Sequence, residues 1–243
     1  MKSCDIRFMT SMTVFSVALL AALVFSSDIF AQESGQEMPP ESRWESTIQG
    51  FERADRENSF EPGGVLFLGS SSIRMWDLKK SFPELDAVNR GFGGSEISDS
   101  IEFFDRIVVP RAPRLIVFYA GDNDIAKGKS PEQVSDDFKT FLDMIREVLP
   151  ETRLVFVAIK PSIARWNLIE NNRDANARVV EQIEKDDLAD FLDIDAPMIN
   201  EEGVPNPDLF LNDGLHLNEK GYAIWNSLLE PLLEKTEEPE EEE

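Results

Sequence analysis

Cysteine and histidine are almost absent from this sequence, which contains one residue of each. A single cysteine excludes an intramolecular disulfide, a cysteine-based zinc finger and an iron–sulfur cluster. A single histidine excludes any site that needs two imidazoles, such as the paired histidines of a zincin helix. If the chain uses an imidazole in catalysis, that imidazole belongs to His216.

Positive charge is also scarce, because 24 lysines and arginines stand against 47 aspartates and glutamates, for a formal net charge of -23. This excess of negative charge disfavours nucleic-acid phosphates and anionic membrane surfaces as partners. We therefore expect no nucleic-acid partner. The chain of 243 residues is 42% hydrophobic, which is enough for one domain with a sizeable core.

The first forty residues have the pattern of a targeting segment followed by a linker. A short basic region precedes a mostly apolar stretch at residues 8–25, and Ala31 precedes a polar segment. This layout predicts a signal peptide at residues 1–31 and a linker at residues 32–40. The mature protein would then be periplasmic or secreted, with no stable membrane anchor. The apolar stretch is close to spanning length, so an uncleaved anchor is the alternative.

The other end of the chain is a run of acidic residues. Residues 234–243 read EKTEEPEEEE, in which seven of the ten residues are glutamate. Self-repulsion within such a run predicts a solvated, disordered acidic tail. With both ends set aside, the predicted folded domain spans residues 41–233.

Short segments with strand character alternate with helical patterns through this domain. Five runs predict strands, at residues 65–68, 86–89, 115–120, 154–159 and 191–194. Helical patterns lie around Ile48, at residues 97–109, from Pro131 to just before Pro150, and at residues 167–187 and 218–233. The alternation predicts an α/β domain with a mostly parallel sheet. Right-handed crossovers would then place helices on both faces of that sheet.

Polar or glycine-rich segments follow the first four predicted strands, and another precedes the last helix. They lie at residues 69–74, 90–95, 121–124, 160–166 and 212–216. Taken singly, each segment is ordinary turn or helix-capping chemistry. An α/β sheet, however, places its ligand site at the carboxyl ends of its strands. The segments should therefore converge on one edge of the sheet.

Together these segments supply the groups that a serine hydrolase needs. Such an enzyme requires a nucleophile, a general base, a carboxylate that orients the base, and donors for the oxyanion. The nucleophile would be one of the three serines at residues 70–72, and His216 is the only imidazole. Asp213 precedes His216 by three residues, which is close enough to reach its ring in a tight loop. Gly94 offers a backbone N–H group and Asn123 a side-chain amide.

The segments resemble the marker blocks of the SGNH hydrolases, also called GDSL-like lipases or acylhydrolases. The matching stretches are VLFLGSSSIRMW, NRGFGGS, YAGDND and DGLHLNEKGY, which lie within residues 65–225. The resemblance implies the fold of that family, a three-layer α/β/α sandwich with a flavodoxin-like, mostly parallel five-stranded sheet. It also implies hydrolysis of carboxylic esters, for which no metal and no organic cofactor is required.

The same resemblance assigns roles to individual residues. It makes Ser71 the nucleophile, with Asp213 and His216 as the other two members of the catalytic triad. The backbone N–H groups of Ser71 and Gly94, with the side chain of Asn123, would form the oxyanion hole. One position departs from the family pattern, since the family usually has aspartate immediately before the nucleophile.

That departure places Ser70 where the family has aspartate. The aspartate is not a member of the triad, so activity need not be lost. The exchange does raise the question of whether the turn before the nucleophile keeps its geometry, and whether substrate preference changes.

Basic and aromatic residues near the same sheet edge bear on the substrate. We expect Arg74, Trp76, Lys160, Arg165 and Trp166 near the rim of the site, with Arg74, Lys160, Arg165 and Trp166 as candidate substrate-binding residues. The alternative for Trp76 and Trp166 is a place in the core. Arginine and tryptophan suit sugars or short polar acyl esters, so a small-molecule or carbohydrate ester, first of all an acetylated carbohydrate, is the expected substrate.

Two other functions compete with a short-chain esterase. The first is a lysophospholipase or lipase-type acylhydrolase, which the absence of a long apolar lid segment disfavours. The second is a non-catalytic extracellular domain that binds glycans. A flavodoxin-like cofactor protein is disfavoured as well, because the turn at residues 91–94 does not follow the G-x-G-x-x-G pattern of dinucleotide binding.

Overall fold

The computed structural model of the protein describes residues 42–58 and 60–234. The predicted signal peptide and linker lie outside these residues, and so does the predicted acidic tail apart from Glu234. Within the described ranges, no helix combines the length and the apolar character that a membrane crossing requires.

Five parallel strands form one sheet. They are β1 (Val65–Gly69), β2 (Ala87–Gly91), β3 (Leu115–Tyr119), β4 (Arg153–Val157) and β5 (Ala189–Leu192). Their order across the sheet is β2-β1-β3-β4-β5, and every neighbouring pair is parallel. The strand order reverses between β1 and β3, the position at which open α/β sheets bind ligands. The predicted fold class is confirmed, and each predicted strand has a counterpart.

Helices cover both faces of this sheet. They are α1 (Glu45–Glu57), α2 (Ser71–Arg74), α3 (Leu78–Ser81), α4 (Ile97–Glu102), α5 (Phe104–Ile107), α6 (Asp122–Ala126), α7 (Pro131–Val148), α8 (Ile169–Ile183) and α9 (Glu219–Glu234). The single helix predicted at residues 97–109 is two helices, because the backbone leaves helical geometry at Phe103. The Phe103 ring is buried there, edge-on to Phe92.

Alternate strand residues pack into two cores, one on each face. On one face, Leu66, Leu68 and Phe118 pack against apolar side chains of α1, α4, α5, α7 and α8. On the other face, Val65 and Phe67 pack against α2, α3 and α9. Burial on both faces explains why β1 and β3 read as continuous apolar runs in the sequence.

Trp76 belongs to the second of these cores. Its side chain is almost fully buried, and its ring lies edge-on to the rings of Phe67 and Trp225. Its indole N–H donates to Asn226 Oδ1 at 2.8 Å, so the one polar atom of the ring is also satisfied. The core alternative for Trp76 is therefore correct, and this residue is not part of the rim.

Candidate active site

Ser71 lies at the point where β1 ends and α2 begins. The turn needs glycine at residue 69, where φ is +133° and a Cβ atom would stand 2.0 Å from the Tyr119 carbonyl oxygen. The backbone N–H of Ser70 donates to the same Tyr119 oxygen at 3.0 Å, and the Ser70 carbonyl accepts from the N–H of Arg74. These contacts fix Ser71 at the carboxyl edge of the sheet. Ser70 has ordinary extended geometry, so the turn forms without the family's aspartate.

Asp213, His216 and Ser71 form a hydrogen-bonded series across this edge. His216 Nε2 lies 3.0 Å from Ser71 Oγ, and His216 Nδ1 lies 2.6 Å from Asp213 Oδ2. The second carboxylate oxygen, Asp213 Oδ1, accepts from the backbone N–H groups of Leu215 and His216, each at 2.9 Å. The carboxylate thus holds both the loop and the ring that the loop carries. The two residues predicted to complete the triad are brought to Ser71.

The electrostatics of Asp213 favour its ionised form. Hydrogen bonds from the His216 imidazole, and then from the two backbone N–H groups, lower the pKa of Asp213 from 3.8 to about 2. Because the pKa of Asp213 is lower in the folded state, its ionisation stabilises the folded protein. This contribution is fully present at pH values above about 4 and is lost as the pH falls towards 2. An ionised Asp213 keeps the proton of a neutral His216 on Nδ1, which leaves the Nε2 lone pair facing Ser71.

Gly94 lies on the loop after β2, with its φ of +84° in the left-handed region that glycine favours. A Cβ atom on Gly94 would stand 3.7 Å from the Trp44 ring, so this aromatic side chain lies directly beside the loop. The Gly94 carbonyl oxygen accepts from Arg43 Nη2 at 2.9 Å and from Lys127 Nζ at 3.2 Å. Two cationic side chains therefore hold the peptide that follows Gly94.

Asn123 lies in the first turn of α6, directly after β3. Its Nδ2 group donates to the Ser95 carbonyl oxygen at 2.9 Å, and its Oδ1 accepts from Arg165 Nη2 at 3.2 Å. These two contacts fix which end of the amide is the donor. Nδ2 carries two N–H groups, so one remains after the bond to Ser95. Ser71, Gly94 and Asn123 line the same cleft, as the sequence predicts.

A buried ionic network lies behind Asn123. Lys160 Nζ donates to Tyr119 Oη at 3.0 Å and to Asp122 Oδ2 at 3.1 Å. Arg165 Nη1 lies 2.8 Å from Asp122 Oδ1 and donates to the Asp122 carbonyl oxygen at 3.0 Å. Burial alone would raise the pKa of Asp122, but the two cations outweigh it and lower that pKa. Burial likewise opposes the charge of Lys160, and the Asp122 carboxylate outweighs it and raises the pKa of Lys160.

The positions of Lys160 and Trp166 correct two of the substrate-binding predictions. Lys160 is only 1% exposed, and its ammonium group is engaged by Tyr119 and Asp122, so it cannot touch a ligand in the cleft. Trp166 is outside the cleft lining and instead has the guanidinium of Arg173 over its ring, 5.8 Å from the centroid. Arg74 and Arg165 do line the cleft.

The cleft above these groups is open to solvent and has a volume of about 400 Å³. Besides the predicted residues, it is lined by Trp44, Thr47, Phe92, Gly93 and Leu215. Phe92 and Gly93 belong to the NRGFGGS stretch, and Leu215 lies between Asp213 and His216, so motif spacing could have indicated all three. Nothing in the sequence near Trp44 and Thr47 indicates this role, because both belong to a helical pattern that precedes the first strand.

Comparisons with known proteins show which family the chain resembles. A model of the GDSL-like lipase/acylhydrolase family matches residues 71–224. Platelet-activating factor acetylhydrolase IB subunit alpha1 of Homo sapiens is 27% identical over 207 residues, covering 82% of this chain and 86% of that protein.

Solved structures of GDSL-like lipases and of an acetylxylan esterase have the same fold as this chain. A GDSL-like lipase from Bacteroides thetaiotaomicron has a TM-score of 0.66 at 20% identity, covering 77% of this chain and 98% of that one. An acetylxylan esterase from Geobacillus stearothermophilus has a TM-score of 0.58 at 14% identity, covering 75% of this chain and 98% of that one.

Proposed function

Because the chain belongs to the GDSL-like lipase/acylhydrolase family, we propose that it is a serine esterase that cleaves carboxylic esters through an acyl-enzyme. The observation that carries this proposal is the hydrogen-bonded series Asp213–His216–Ser71, with separations of 2.6 Å and 3.0 Å. A serine hydroxyl, an imidazole and a carboxylate in this order are the parts that activate an otherwise weak nucleophile.

The proposed reaction begins when Ser71 Oγ attacks the acyl carbonyl carbon and His216 Nε2 takes the hydroxyl proton. Asp213 stabilises the imidazolium that results. The bond to the alcohol then breaks, and His216 gives its proton to the departing alkoxide. A water molecule, deprotonated by His216, attacks the acyl-enzyme in the same way, which releases the acid and restores Ser71.

The oxyanion of each tetrahedral intermediate would accept hydrogen bonds from the backbone N–H groups of Ser71 and Gly94 and from Asn123 Nδ2. Preorganised donors of this kind supply a large share of catalysis, because they need no reorientation as the charge develops. The structure supports such preorganisation at Asn123, whose amide oxygen is held by Arg165 and whose nitrogen is held by Ser95. In this proposal Arg165 is a positioning residue.

Replacing Asn123 by alanine should lower kcat by about a hundredfold to a thousandfold, the usual loss of one oxyanion donor. Because the interaction strengthens in the transition state, KM should change much less than kcat. Steady-state kinetics on a short-chain aryl ester measure both constants. Asn167→Ala, which changes an exposed asparagine outside the cleft lining, is the matched control. An unchanged kcat in Asn123→Ala would remove this side chain from the mechanism.

For the substrate we propose an ester with a short acyl group, with acetylated carbohydrate as the first candidate. One relative is named an acetylhydrolase and one protein of the same fold an acetylxylan esterase. Trp44 lines the cleft beside Gly94 and adds an aromatic surface there, with the Arg43 guanidinium over its ring at 4.4 Å from the centroid. Export of the mature chain, as the N-terminal pattern predicts, would place the enzyme among such substrates.

A series of aryl esters from acetate to long-chain acyl groups, run beside acetylated xylo-oligosaccharides, tests this proposal. We expect kcat/KM to be highest for acetate and to fall as the chain lengthens, because the described cleft is open and carries two arginines rather than a long apolar channel. A preference for long chains would favour the lipase-type alternative. No turnover of any ester by folded protein, with binding of the glycan, would favour the non-catalytic alternative.

A further inference from the structure

The charge of the cleft differs from the charge of the rest of the molecule. The chain carries 47 acidic residues against 24 basic ones, yet the cleft is lined by Arg74 and Arg165 and by no aspartate or glutamate among the described residues. The carboxylate of the triad, Asp213, is hydrogen-bonded to His216 Nδ1, on the side of the ring that faces away from Ser71. The lining of the cleft is therefore basic, although the chain as a whole is acidic.

The two arginines of the cleft differ in how they are engaged. Arg165 pairs with Asp122 at 2.8 Å and also holds Asn123. The guanidinium of Arg74, in contrast, makes no hydrogen bond or ion pair with any residue in the described part of the chain, and its side chain is exposed. Arg74 therefore places one uncompensated positive charge in the cleft.

The absence of a side chain at Gly93 leaves room for the Arg74 guanidinium. A Cβ atom on Gly93 would stand 2.9 Å from Arg74 Nε and 3.1 Å from Nη2, closer than side chains normally approach. The guanidinium therefore lies against the glycine backbone, one residue before Gly94. On α2, Arg74 follows Ser71 by three residues, a spacing that brings Cβ atoms of a helix to about 5–6 Å. The free cation is thus adjacent to both the nucleophile and the oxyanion loop.

We propose that Arg74 binds an anionic group of the ester substrate, a carboxylate or a phosphate. This inference rests on the proposed esterase function and narrows its substrate class to short-chain esters, acetylated carbohydrates among them, that carry an acidic group. A guanidinium presents paired N–H groups in one plane, which match the oxygens of either oxyacid. The remaining negative charge of the protein repels anions at long range. Any preference for an anionic substrate therefore has to come from the local contact with Arg74.

The test compares esters that differ only in one charge. The carboxylate pair is 4-acetoxybenzoate and its methyl ester, and the phosphate pair is 4-acetoxyphenyl methyl phosphate, which is a monoanion, and the neutral 4-acetoxyphenyl dimethyl phosphate. A third pair, 4-nitrophenyl hydrogen succinate and its methyl ester, places the charge on the acyl side. The measured quantity is the ratio of kcat/KM for the charged ester to that for its neutral partner. Comparing this ratio between protein variants cancels the intrinsic reactivity of each ester.

In Arg74→Gln we expect this ratio to fall about tenfold to a hundredfold for at least one pair, as loss of a charge-assisted hydrogen bond implies. Arg74→Lys keeps the charge but not the paired donors and should restore part of the ratio. Gly93→Ala should lower the ratio in the same direction, because the added methyl group displaces the guanidinium without removing it.

Arg53→Gln is the matched control, because it removes the same charge from an exposed position outside the cleft. It should leave the ratio unchanged. If Arg74→Gln has the wild-type ratio in all three pairs while the neutral esters are hydrolysed, the anion site is wrong and the esterase proposal stands. If folded wild-type protein hydrolyses none of these esters, both the esterase proposal and the anion site fail. The pair with the largest loss tells whether the ligand is a carboxylate or a phosphate.

Discussion

Ser71→Ala should lower kcat for a short-chain aryl ester by about six orders of magnitude, the loss seen when the nucleophile of a serine hydrolase triad is removed. The reason is specific to this hydroxyl: it alone, among the three serines of the GSSS turn, has an imidazole nitrogen at 3.0 Å. KM should change little, because binding does not need the hydroxyl. Steady-state kinetics, with a folding check by circular dichroism, measure the effect.

The two neighbouring serines are the matched controls for this prediction. Ser70 and Ser72 are both buried, and in the described part of the chain the hydrogen bond of His216 Nε2 goes to Ser71 and to neither of them. Ser70→Ala and Ser72→Ala should therefore keep most of the turnover if they fold. A fluorophosphonate probe should label the wild-type protein and both of these variants but not Ser71→Ala. Labelling of Ser71→Ala at the wild-type rate would show that the nucleophile is a residue other than Ser71.

His216→Gln should abolish turnover to a similar extent, about 10⁵- to 10⁶-fold in kcat. Glutamine can still form hydrogen bonds, but it cannot accept and return a proton near neutral pH. The sequence contains no other histidine that could take over this task. Steady-state kinetics on the same short-chain aryl ester measure the loss.

The double variant Ser71→Ala/His216→Gln separates a catalytic role for His216 from a structural one. Because the two groups act as a unit, the double variant should be no slower than either single variant. Two independent losses would instead multiply. Turnover retained by His216→Gln within tenfold of the wild-type value would contradict the proposed mechanism, whatever the behaviour of Ser71→Ala.

The fold was largely predictable from local patterns, because apolar runs and helical stripes report burial directly. The runs that became β3 and β4 are apolar without interruption, and both strands are covered by helices. The split of the helix at residues 97–109 was not predictable. It depends on the burial of the Phe103 ring against Phe92, and this contact exists only in the folded chain.

The candidate site was predictable where residues carry a motif and not where they depend on distant partners. Asp213 and His216 lie three residues apart, so their contact could be expected from spacing. The burial of Lys160 could not, because it requires Asp122 and Tyr119, about forty residues away in sequence. Trp44 and Thr47 were missed because α1 reaches the cleft from before the first strand.

The network of Lys160, Asp122 and Arg165 limits how this side of the cleft can change, whether by evolution or by design. Replacing Asp122 alone would leave the buried charge of Lys160 without its ion-pair partner. Breaking a buried pair in this way lowers the free energy of unfolding by about 3–5 kcal/mol. It would also release Arg165 and with it the amide of Asn123. The three positions are therefore coupled, and substitutions there should succeed as a set rather than one at a time. A library that varies these three positions together should therefore yield more stable, correctly aligned variants than a library that varies them singly.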